Sequence, residues 1–450
     1  MIMDDKLFLD NICDKIDLGG KISHDVFTKY NVKRGLRNAD GTGVVVGLTR
    51  VGDVKGYYFN GEEKVPDDGK LFYRGIDVHD IVKACESEHR FGFEEVCYLL
   101  LTGELPNKEQ LASMNEYLGS HRTLPPGFTE DMILKAPSSN IMNKIARNVM
   151  TIYSYDDNPD DTSLKNVLRQ SLDLIAQLPT MAAYAYQAKN HYYDGNSLWI
   201  HRPDPKLSTA ENILLLIRPD MKYTRQEAEI LDLCMILHAE HGGGNNSSFT
   251  IRVVSSSGTD TYAAVTSAIN SLKGPKHGGA NLKTMAMFDD IKANVDDWSD
   301  ENKIKDYLAK ILNKEAFDKS GLIYGIGHAV YTKSDPRAIL LKEKAKDLAW
   351  SVGREKEFEL YNTVEKLAPS VFKEVTGKSK IVCANVDFYS GFVYDMLRIP
   401  TALYTPIFAM SRLPGWCAHR IEELTLDPRI IRPAYKNIGV SKDYINLEDR

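Results

Sequence analysis

The chain has 450 residues, of which 43% are hydrophobic and 26% are charged, and its formal net charge at pH 7 is −6. This length and composition predict a globular protein with a large core and more than one compact unit. Acidic residues outnumber basic ones, and the chain has no dense Lys/Arg tract, so we do not expect nucleic acid as a partner. No apolar run reaches membrane-spanning length.

The N-terminal stretch, MIMDDKLFLDNICDKID, is acidic and amphipathic. It lacks the basic-then-apolar order of a secretory signal and the Arg-rich character of a transit peptide, so we expect a cytoplasmic protein. The six cysteines are scattered without a CxxC pair, which favours reduced, buried thiols over disulfides or zinc.

The first predicted element is a small antiparallel β-hairpin or meander near residues 43–65. The segment VVVGLTRVGDVKGYYFNGEEKV is rich in β-branched and aromatic residues, broken by Gly-Asp and Asn-Gly. Most of the remaining chain has helical periodicity, so the predicted fold class is mainly α.

A helix is predicted from Thr224, because TRQE forms a capping box with Glu227 and apolar residues follow at helical spacing. His241 continues the apolar stripe, one turn after His238. We predict that the helix extends to His241, which then points inward, and that Gly242–Gly244 stops it.

The next segment, SFTIRVVSSS, is predicted as helix from its neighbours, although its β-branched residues favour a strand. Another helix is predicted from Thr259 or Asp260 through Leu272, ending at Gly274-Pro275. His277 then lies just after this break.

Helical patterns also cover 300–320, 335–350, 354–375, 388–398 and 406–424. No internal repeat or long flexible linker separates them, so we expect closely packed units that move about a hinge.

Histidines mark the candidate site. His238 and His241 lie in HAEHGGGNN, His277 in GPKHGGAN and His328 in GIGHAVY. Histidine titrates near neutrality and flanking glycines allow close approach, so this clustering favours proton transfer or anion binding. For one histidine alone an ordinary structural role is the better interpretation, but the set, with Asp387, Arg337 and Arg412 downstream, favours a site.

Three other motifs are incomplete. HGGG at 241–244 lacks the downstream GxSxG elbow of a lipase, and GIGHAV at 325–330 has Val330 where a dinucleotide fingerprint needs its last glycine or alanine. HAEH differs from HExxH, so a zinc-dependent hydrolase using His238 and His241 is only a second hypothesis, and the predicted metal is none.

The ordered motifs HAEHGGGNNSS, GPKHGGAN, GIGHAVYTKSDPR, NVDFYSG, IFAMSR and IIRP resemble those of the citrate synthase family, including 2-methylcitrate synthases. The resemblance covers most of the chain. It implies a helical two-domain homodimer that joins acetyl-CoA to oxaloacetate through citryl-CoA, with acetyl-CoA as substrate and no further cofactor. It also implies a small domain at 278–392 and a large one at 1–277 plus 393–450, which close over the substrates.

Removing a proton from a thioester methyl group requires a base and a group that stabilises the enolate oxygen. The resemblance implies that Asp387 is the base, that His277 bonds the thioester oxygen and that His328 donates to the ketone oxygen. Burial would raise the pKa of Asp387 and a helix N-terminus would lower it, and the sequence leaves the balance open.

Oxaloacetate has two carboxylates, and the planar guanidinium group of arginine can bind a carboxylate through two parallel hydrogen bonds. The resemblance assigns this role to Arg337, Arg412 and Arg432, with Arg432 reaching the partner subunit's site, and gives His241 a part in binding. An alternative makes Arg337 an ordinary surface arginine at a helix start. Another pairs Arg432 with Asp427 or Glu422.

Asn245 and Ser247 are candidates to satisfy the helix terminus or support His277. The loop of Gly325, Ile326 and Gly327 is the candidate contact for the adenine side of CoA. Propionyl-CoA is the alternative acyl substrate, since one methylene changes discrimination by only ~1–3 kcal/mol. A catalytically silent relative is the remaining alternative, and the complete His277, His328 and Asp387 set argues against it.

Overall fold

A computed structural model describes residues 5–19, 22–61, 63–378, 381–426 and 429–450. The chain divides into two compact units, Met1–Gly47 with Ile431–Arg450 and Leu48–Ile430. All candidate site residues except Arg432 belong to the larger unit. The predicted boundaries at 277/278 and 392/393 both fall inside this larger unit and stay a prediction.

The smaller unit contains α1 (Asp5–Gly19), α2 (His24–Lys29) and single 3₁₀ turns at Arg34–Leu36 and Leu447–Asp449. Its two chain segments meet where Lys436 Nζ lies 5.8 Å from the centre of the Tyr30 ring.

The larger unit begins with a three-stranded antiparallel sheet in the order β1 (Gly52–Asn60), β2 (Glu63–Tyr73) and β3 (Ile76–Asp77). β1 pairs with β2 from Gly52↔Tyr73 to Asn60↔Glu63, which confirms the hairpin at the Asn-Gly signal. The prediction was wrong at its start, since residues 44–49 form no strand and Gly52-Asp53 opens β1 rather than interrupting it.

The rest of the larger unit is helical, which confirms the predicted fold class. Its α-helices are α3 (Val78–Ser87), α4 (Phe93–Thr102), α5 (Lys108–Ser120), α6 (Ile141–Ile152), α7 (Leu164–Tyr192), α8 (Thr209–Ile217), α9 (Arg225–His238), α10 (Asn246–Ser255), α11 (Thr261–Lys273), α12 (Ala280–Asn294), α13 (Glu301–Leu312), α14 (Pro336–Ser351), α15 (Glu355–Thr376), α16 (Val386–Met396) and α17 (Tyr404–Thr425). A π turn covers Phe128–Leu134, and 3₁₀ turns cover Tyr153–Tyr155 and Thr401–Leu403.

Several helix boundaries follow the predicted caps. Thr224 caps α9 in a full capping box with Glu227, and Asp260 caps α11. The segment predicted as helix despite its β-branched residues is α10. α9 ends at His238, three residues earlier than predicted, and residues 313–320 leave the helical pattern after α13.

One continuous apolar core runs through the larger unit and positions the site. α17 packs against α4, α7, α9, α10 and α11, while α16 packs against α12 and α14. The β-hairpin lies tightly on the loop after His328, where a Cβ on Gly69 would stand 2.1 Å from the Ser334 carbonyl oxygen. Within the described part of the chain, no helix is long and apolar enough to cross a bilayer.

Candidate active site

The C-terminal end of α9 and the turn that follows it bury two neutral histidines. His238 Nδ1 lies 2.7 Å from the carbonyl oxygen of Cys234, and because a carbonyl only accepts, this nitrogen carries the proton. Burial lowers the pKa of His238 to about 3. Burial, followed by the charge of Arg337, lowers the pKa of His241 well below its ordinary value. His241 Nε2 has no hydrogen-bond partner among the described residues.

Glu240, between these histidines, is fully buried and anchors the turn. Two N–H groups of Arg252 point at His419 Nδ1, at 3.1 and 2.7 Å, so Nδ1 accepts and the ring proton on Nε2 is donated to Glu240 at 2.9 Å. Burial alone would raise the pKa of the Glu240 carboxyl. The interactions with His419 and Arg412 have the larger combined effect, and the pKa is lowered. The turn therefore rests on an ionised carboxylate.

His277, after α11, is held by Ser247 at the start of α10. His277 Nε2 lies 3.0 Å from Ser247 Oγ, and Trp416 Nε1 donates to the same oxygen at 3.0 Å. Ser247 Oγ also lies 2.9 Å from Oδ1 of Asn245, the N-cap of α10. Burial, helped by Arg412, lowers the pKa of His277 to about 4. The ring is neutral, and the single hydroxyl proton of Ser247 decides which of its nitrogens is protonated.

His328 has its tautomer fixed by the backbone. Its Nδ1 accepts the N–H groups of Val330 and Tyr331 at 3.0 and 3.1 Å. In the neutral ring the proton is therefore on Nε2. The ring stands nearly perpendicular to that of His241, with the two centres 5.1 Å apart.

The loop before His328 is joined to the segment that precedes α16. Asn385 N donates to the Gly325 carbonyl at 2.8 Å, and its side-chain amide donates to the Gly327 carbonyl at 2.9 Å. Asn385 is also the N-cap of α16 and accepts from the backbone N–H of Asp387 at 3.0 Å. This pairing brings the predicted CoA loop beside Asp387. Its contact with CoA stays a prediction.

Asp387 is a carboxyl group with a raised proton affinity. Burial raises its pKa to about 6, against the opposing charges of Arg337 and Arg412. The balance left open by the sequence therefore falls on the side of burial. Asp387 lines one small cavity together with His238 and His277.

Arg412, on α17, is fully buried. Its Nε donates to the carbonyl oxygen of His238, and its two terminal nitrogens have no partner within the described part of the chain. Burial lowers the pKa of Arg412 only to about 10, so it stays charged at neutral pH. A buried cation with two unused donors is suited to a carboxylate.

Arg337 already has a partner within the chain. Its Nε and one terminal nitrogen donate to the two oxygens of Asp335 at 3.0 and 2.7 Å. Burial alone would lower the pKa of Arg337. The negative charge and hydrogen bonds of Asp335 act in the other direction, and the pKa is raised above its ordinary value. Arg337 is buried, so the alternative of an ordinary surface residue at a helix start is wrong.

Arg432 lies in the smaller unit, exposed, on a segment without regular secondary structure. Its predicted reach into a partner subunit stays a prediction. Of the alternative partners, Glu422 is paired with Arg252, and Asp427 lies outside the described residues.

The structure thus brings together two groups of predicted residues. His241 and His328 are in ring contact, while His277 and Asp387 line the same cavity. Sequence reasoning missed Asp335 and the buried supports Trp416 and His419. Only Asp335 had a local signal, since it is the N-cap of a helix that begins Pro336-Arg337.

A metal centre receives no support from the side chains. In the ranges that the structure describes, no three His, Cys, Asp or Glu residues are arranged to hold a metal ion.

Comparison with known proteins agrees with this arrangement. Residues 39–434 match the model of the family described as citrate synthase, C-terminal domain. The chain is 33% identical to the citrate synthase of Haloferax volcanii, covering 93% of this chain and 99% of the relative. It is 32% identical to 2-methylcitrate synthase 1 of Corynebacterium glutamicum, covering 86% and 94%. The crystal structure of Pyrobaculum aerophilum citrate synthase superimposes with a TM-score of 0.73 and 29% identity, covering 90% of this chain and 94% of that one. This chain belongs to the citrate synthase family.

Proposed function

We propose that this chain is an acyl-CoA C-acyltransferase that condenses acetyl-CoA with oxaloacetate and water to give citrate and free CoA. The observation that carries the proposal is the buried guanidinium of Arg412, whose two terminal nitrogens are unpaired among the described residues. Such a cation costs free energy unless an anion binds to it. A keto-diacid supplies that anion.

Asp387 is the base that takes a proton from the methyl group of acetyl-CoA. With a pKa raised to about 6, it is ionised at neutral pH yet a better base than an ordinary aspartate. Its position in one cavity with His277 supports a shared role at the thioester.

His277 stabilises the enolate oxygen. When Ser247 turns its hydroxyl proton toward His277 Nε2, the ring proton lies on Nδ1, which then donates to the thioester oxygen. Trp416 also donates to Ser247 Oγ, so the one hydroxyl proton of Ser247 is shared between two acceptors, Asn245 Oδ1 and His277 Nε2.

Oxaloacetate binds on the side of His241 and His328. His328 donates from Nε2 to the ketone oxygen during attack by the enolate, as its backbone-fixed tautomer allows. His241 and Arg412 bind a carboxylate, Arg337 contributes the nitrogen that Asp335 leaves unused, and Arg432 comes from the partner subunit of a homodimer.

Closure of the domain at 278–392 over the domain at 1–277 plus 393–450 excludes bulk water until the carbon–carbon bond has formed. The loop Gly325–Gly327 contacts the adenine side of CoA. The reaction needs no cofactor beyond acetyl-CoA as substrate, and we place the enzyme in the cytoplasm.

The acyl preference is proposed as acetyl, with propionyl-CoA as the alternative. The similarity of this chain to a protein named 2-methylcitrate synthase supports this alternative. Discrimination by one methylene is worth only ~1–3 kcal/mol, so a preference of roughly 5- to 200-fold is expected.

The test is release of CoA thiol from acetyl-CoA and from propionyl-CoA, each at matched concentration with oxaloacetate. Faster release from acetyl-CoA supports the proposal, and faster release from propionyl-CoA favours the alternative. No thiol release with either substrate contradicts the proposed function. Sedimentation of the purified chain tests the homodimer, which a monomeric mass would contradict.

A further inference from the structure

A small cavity adjoins Asp387 and His277. Its walls come from the last residue of α9, from α12, α16 and α17, and from the turn that follows α11, and it has room for about one water molecule. The proposed proton transfer and enolate stabilisation use only part of this wall.

The remaining wall carries three buried polar atoms without hydrogen-bond partners in the part of the chain that the structure describes. They are the hydroxyls of Tyr394 and Tyr404, which are 1% and 2% exposed, and Oδ1 of Asn281, which is 8% exposed. The amide nitrogen of Asn281 is already used, since it donates to Ser390 Oγ at 2.6 Å. Unpaired buried polar groups are costly, so their convergence on one cavity indicates a polar occupant.

Tyr394 is directed toward Asp387 by its position in α16. The two residues are seven apart, which is two helical turns or about 10.5 Å along the axis, and they share one face. Long helical side chains lean toward the N-terminus, so the ring of Tyr394 spans much of this distance. Burial, with smaller contributions from Cys234 and Asp387, raises the pKa of Tyr394 well above its ordinary value, and the hydroxyl therefore keeps its proton.

Tyr404 lies beside Tyr394 in the cavity wall. Its ring centre is 5.2 Å from that of Tyr394. A bound water needs two to four polar partners, and the hydroxyls with Asn281 and Asp387 supply that number. The additional methylene of a longer acyl chain cannot form hydrogen bonds, so in this cavity it would leave both tyrosine hydroxyls unpaired. A water molecule is therefore the better occupant.

We propose that this cavity holds the water molecule that hydrolyses citryl-CoA, and that the Tyr394 hydroxyl positions it. This inference rests on the proposed function and assigns its second half-reaction. Forming the citrate hydroxyl consumes one proton, so Asp387 releases the methyl proton after condensation and is ionised again. The water oxygen then forms a bond to the thioester carbonyl carbon while Asp387 takes one of the water protons. The carbon–sulfur bond then breaks, its electron pair leaves with sulfur, and Asp387 returns the proton to the thiolate. The new carboxylic acid releases its remaining proton to solvent.

The experiment separates hydrolysis from the earlier steps in the full-length Tyr394→Phe variant. Hydrolysis is measured as thiol release from synthetic citryl-CoA. Proton abstraction is measured as deuterium exchange into the methyl group of acetyl-CoA, with malate replacing oxaloacetate so that no condensation follows.

We expect Tyr394→Phe to hydrolyse citryl-CoA about tenfold more slowly, the effect of one hydrogen bond, while methyl exchange stays within about twofold of wild type. Since only an unpaired hydroxyl is removed, the unfolding temperature should be unchanged or raised. Unchanged hydrolysis, or equal losses in hydrolysis and exchange, would overturn the inference.

Tyr404→Phe is the matched control, because it removes the same group from the same cavity. The charged neighbours of Tyr404 are Asp395, Arg354 and Asp289 rather than Asp387, so we expect a smaller loss of hydrolysis than in Tyr394→Phe. A larger loss in Tyr404→Phe would remove Tyr394 from this role. Wild-type enzyme that forms no citrate from acetyl-CoA and oxaloacetate would contradict the proposed function itself, whereas active wild type with either adverse result contradicts only this inference.

Discussion

Replacing Asp387 with Asn tests the catalytic assignment and the electrostatics of the site together. The change keeps the shape of the side chain but removes the proposed base. A positioned general base contributes ~10²–10⁴-fold, so kcat should fall by that factor, or about 3–5 kcal/mol in the barrier. Oxaloacetate affinity should stay within about twofold, because His241, His328 and Arg412 bind it.

The same variant should be more stable than wild type at neutral pH. Burial raises the pKa of Asp387 from its ordinary 3.8 to about 6, so the folded state binds this proton more tightly than the unfolded chain. The ionised carboxylate therefore destabilises the fold; the penalty is absent below about pH 4, grows between pH 4 and pH 6, and is complete above pH 6. A shift of about two pKa units corresponds to at most about 3 kcal/mol.

Urea unfolding of wild type and Asp387→Asn at neutral pH and at pH 4 measures this difference. We expect a gain at neutral pH that disappears at pH 4. In wild type the pH profile of kcat/KM should fall on the acid side near pH 6, since protonated Asp387 cannot accept the methyl proton. Loss of oxaloacetate binding together with activity, or a less stable variant at neutral pH, would refute this reasoning.

Three further changes test other parts of the site. Arg412→Lys has a single nitrogen in place of the planar fork, so it cannot both reach the His238 carbonyl and bind a carboxylate through two separate nitrogens. KM for oxaloacetate should therefore rise by ~30-fold or more in steady-state assays, and an unchanged KM would contradict the carboxylate role. Ser247→Ala removes the group that sets the His277 tautomer, so kcat should fall about tenfold with little change in calorimetric oxaloacetate affinity. Gly325→Ala should lower the unfolding temperature more than Gly353→Ala. Both glycines have a positive φ, but only at Gly325 would the new Cβ come within 2.9 Å of backbone, at the Cα of Phe388. Equal effects on the unfolding temperature would contradict this close approach.

The sequence predicted local structure best where a side chain caps its own helix. The Thr224 capping box and Asp260 marked the starts of α9 and α11 because both residues bond backbone only a few positions away. The end of α9 was less accurate, since the periodicity of its apolar residues continues past His238 although the helix does not. His241 is nonetheless buried, and tertiary packing rather than helix geometry puts it there.

Contacts between distant segments could not be derived from spacing. Ser247 joins His277 to Trp416, which lies 169 positions away in the chain, and Arg252 reaches His419 across 167 positions. Such networks depend on how α10 and α17 pack, which no local pattern reports. The ion pair of Arg337 differs, because its partner Asp335 lies only two residues earlier in the chain, as the N-cap of the same helix.

Burial assigns different charge states to groups that lie side by side. His238 and His277, with pKa values lowered to about 3 and 4, stay neutral at every pH at which the enzyme is expected to work. They can act as hydrogen-bond donors or acceptors without adding positive charge beside Arg412, which stays protonated. The positive charge is thus fixed where a carboxylate must bind, and Asp387, with its pKa raised to about 6, titrates close to neutrality. A site with this distribution keeps positive charge for binding a dianion and provides a carboxylate base for the methyl proton, which is the division of labour that condensation of a keto-diacid with a thioester requires.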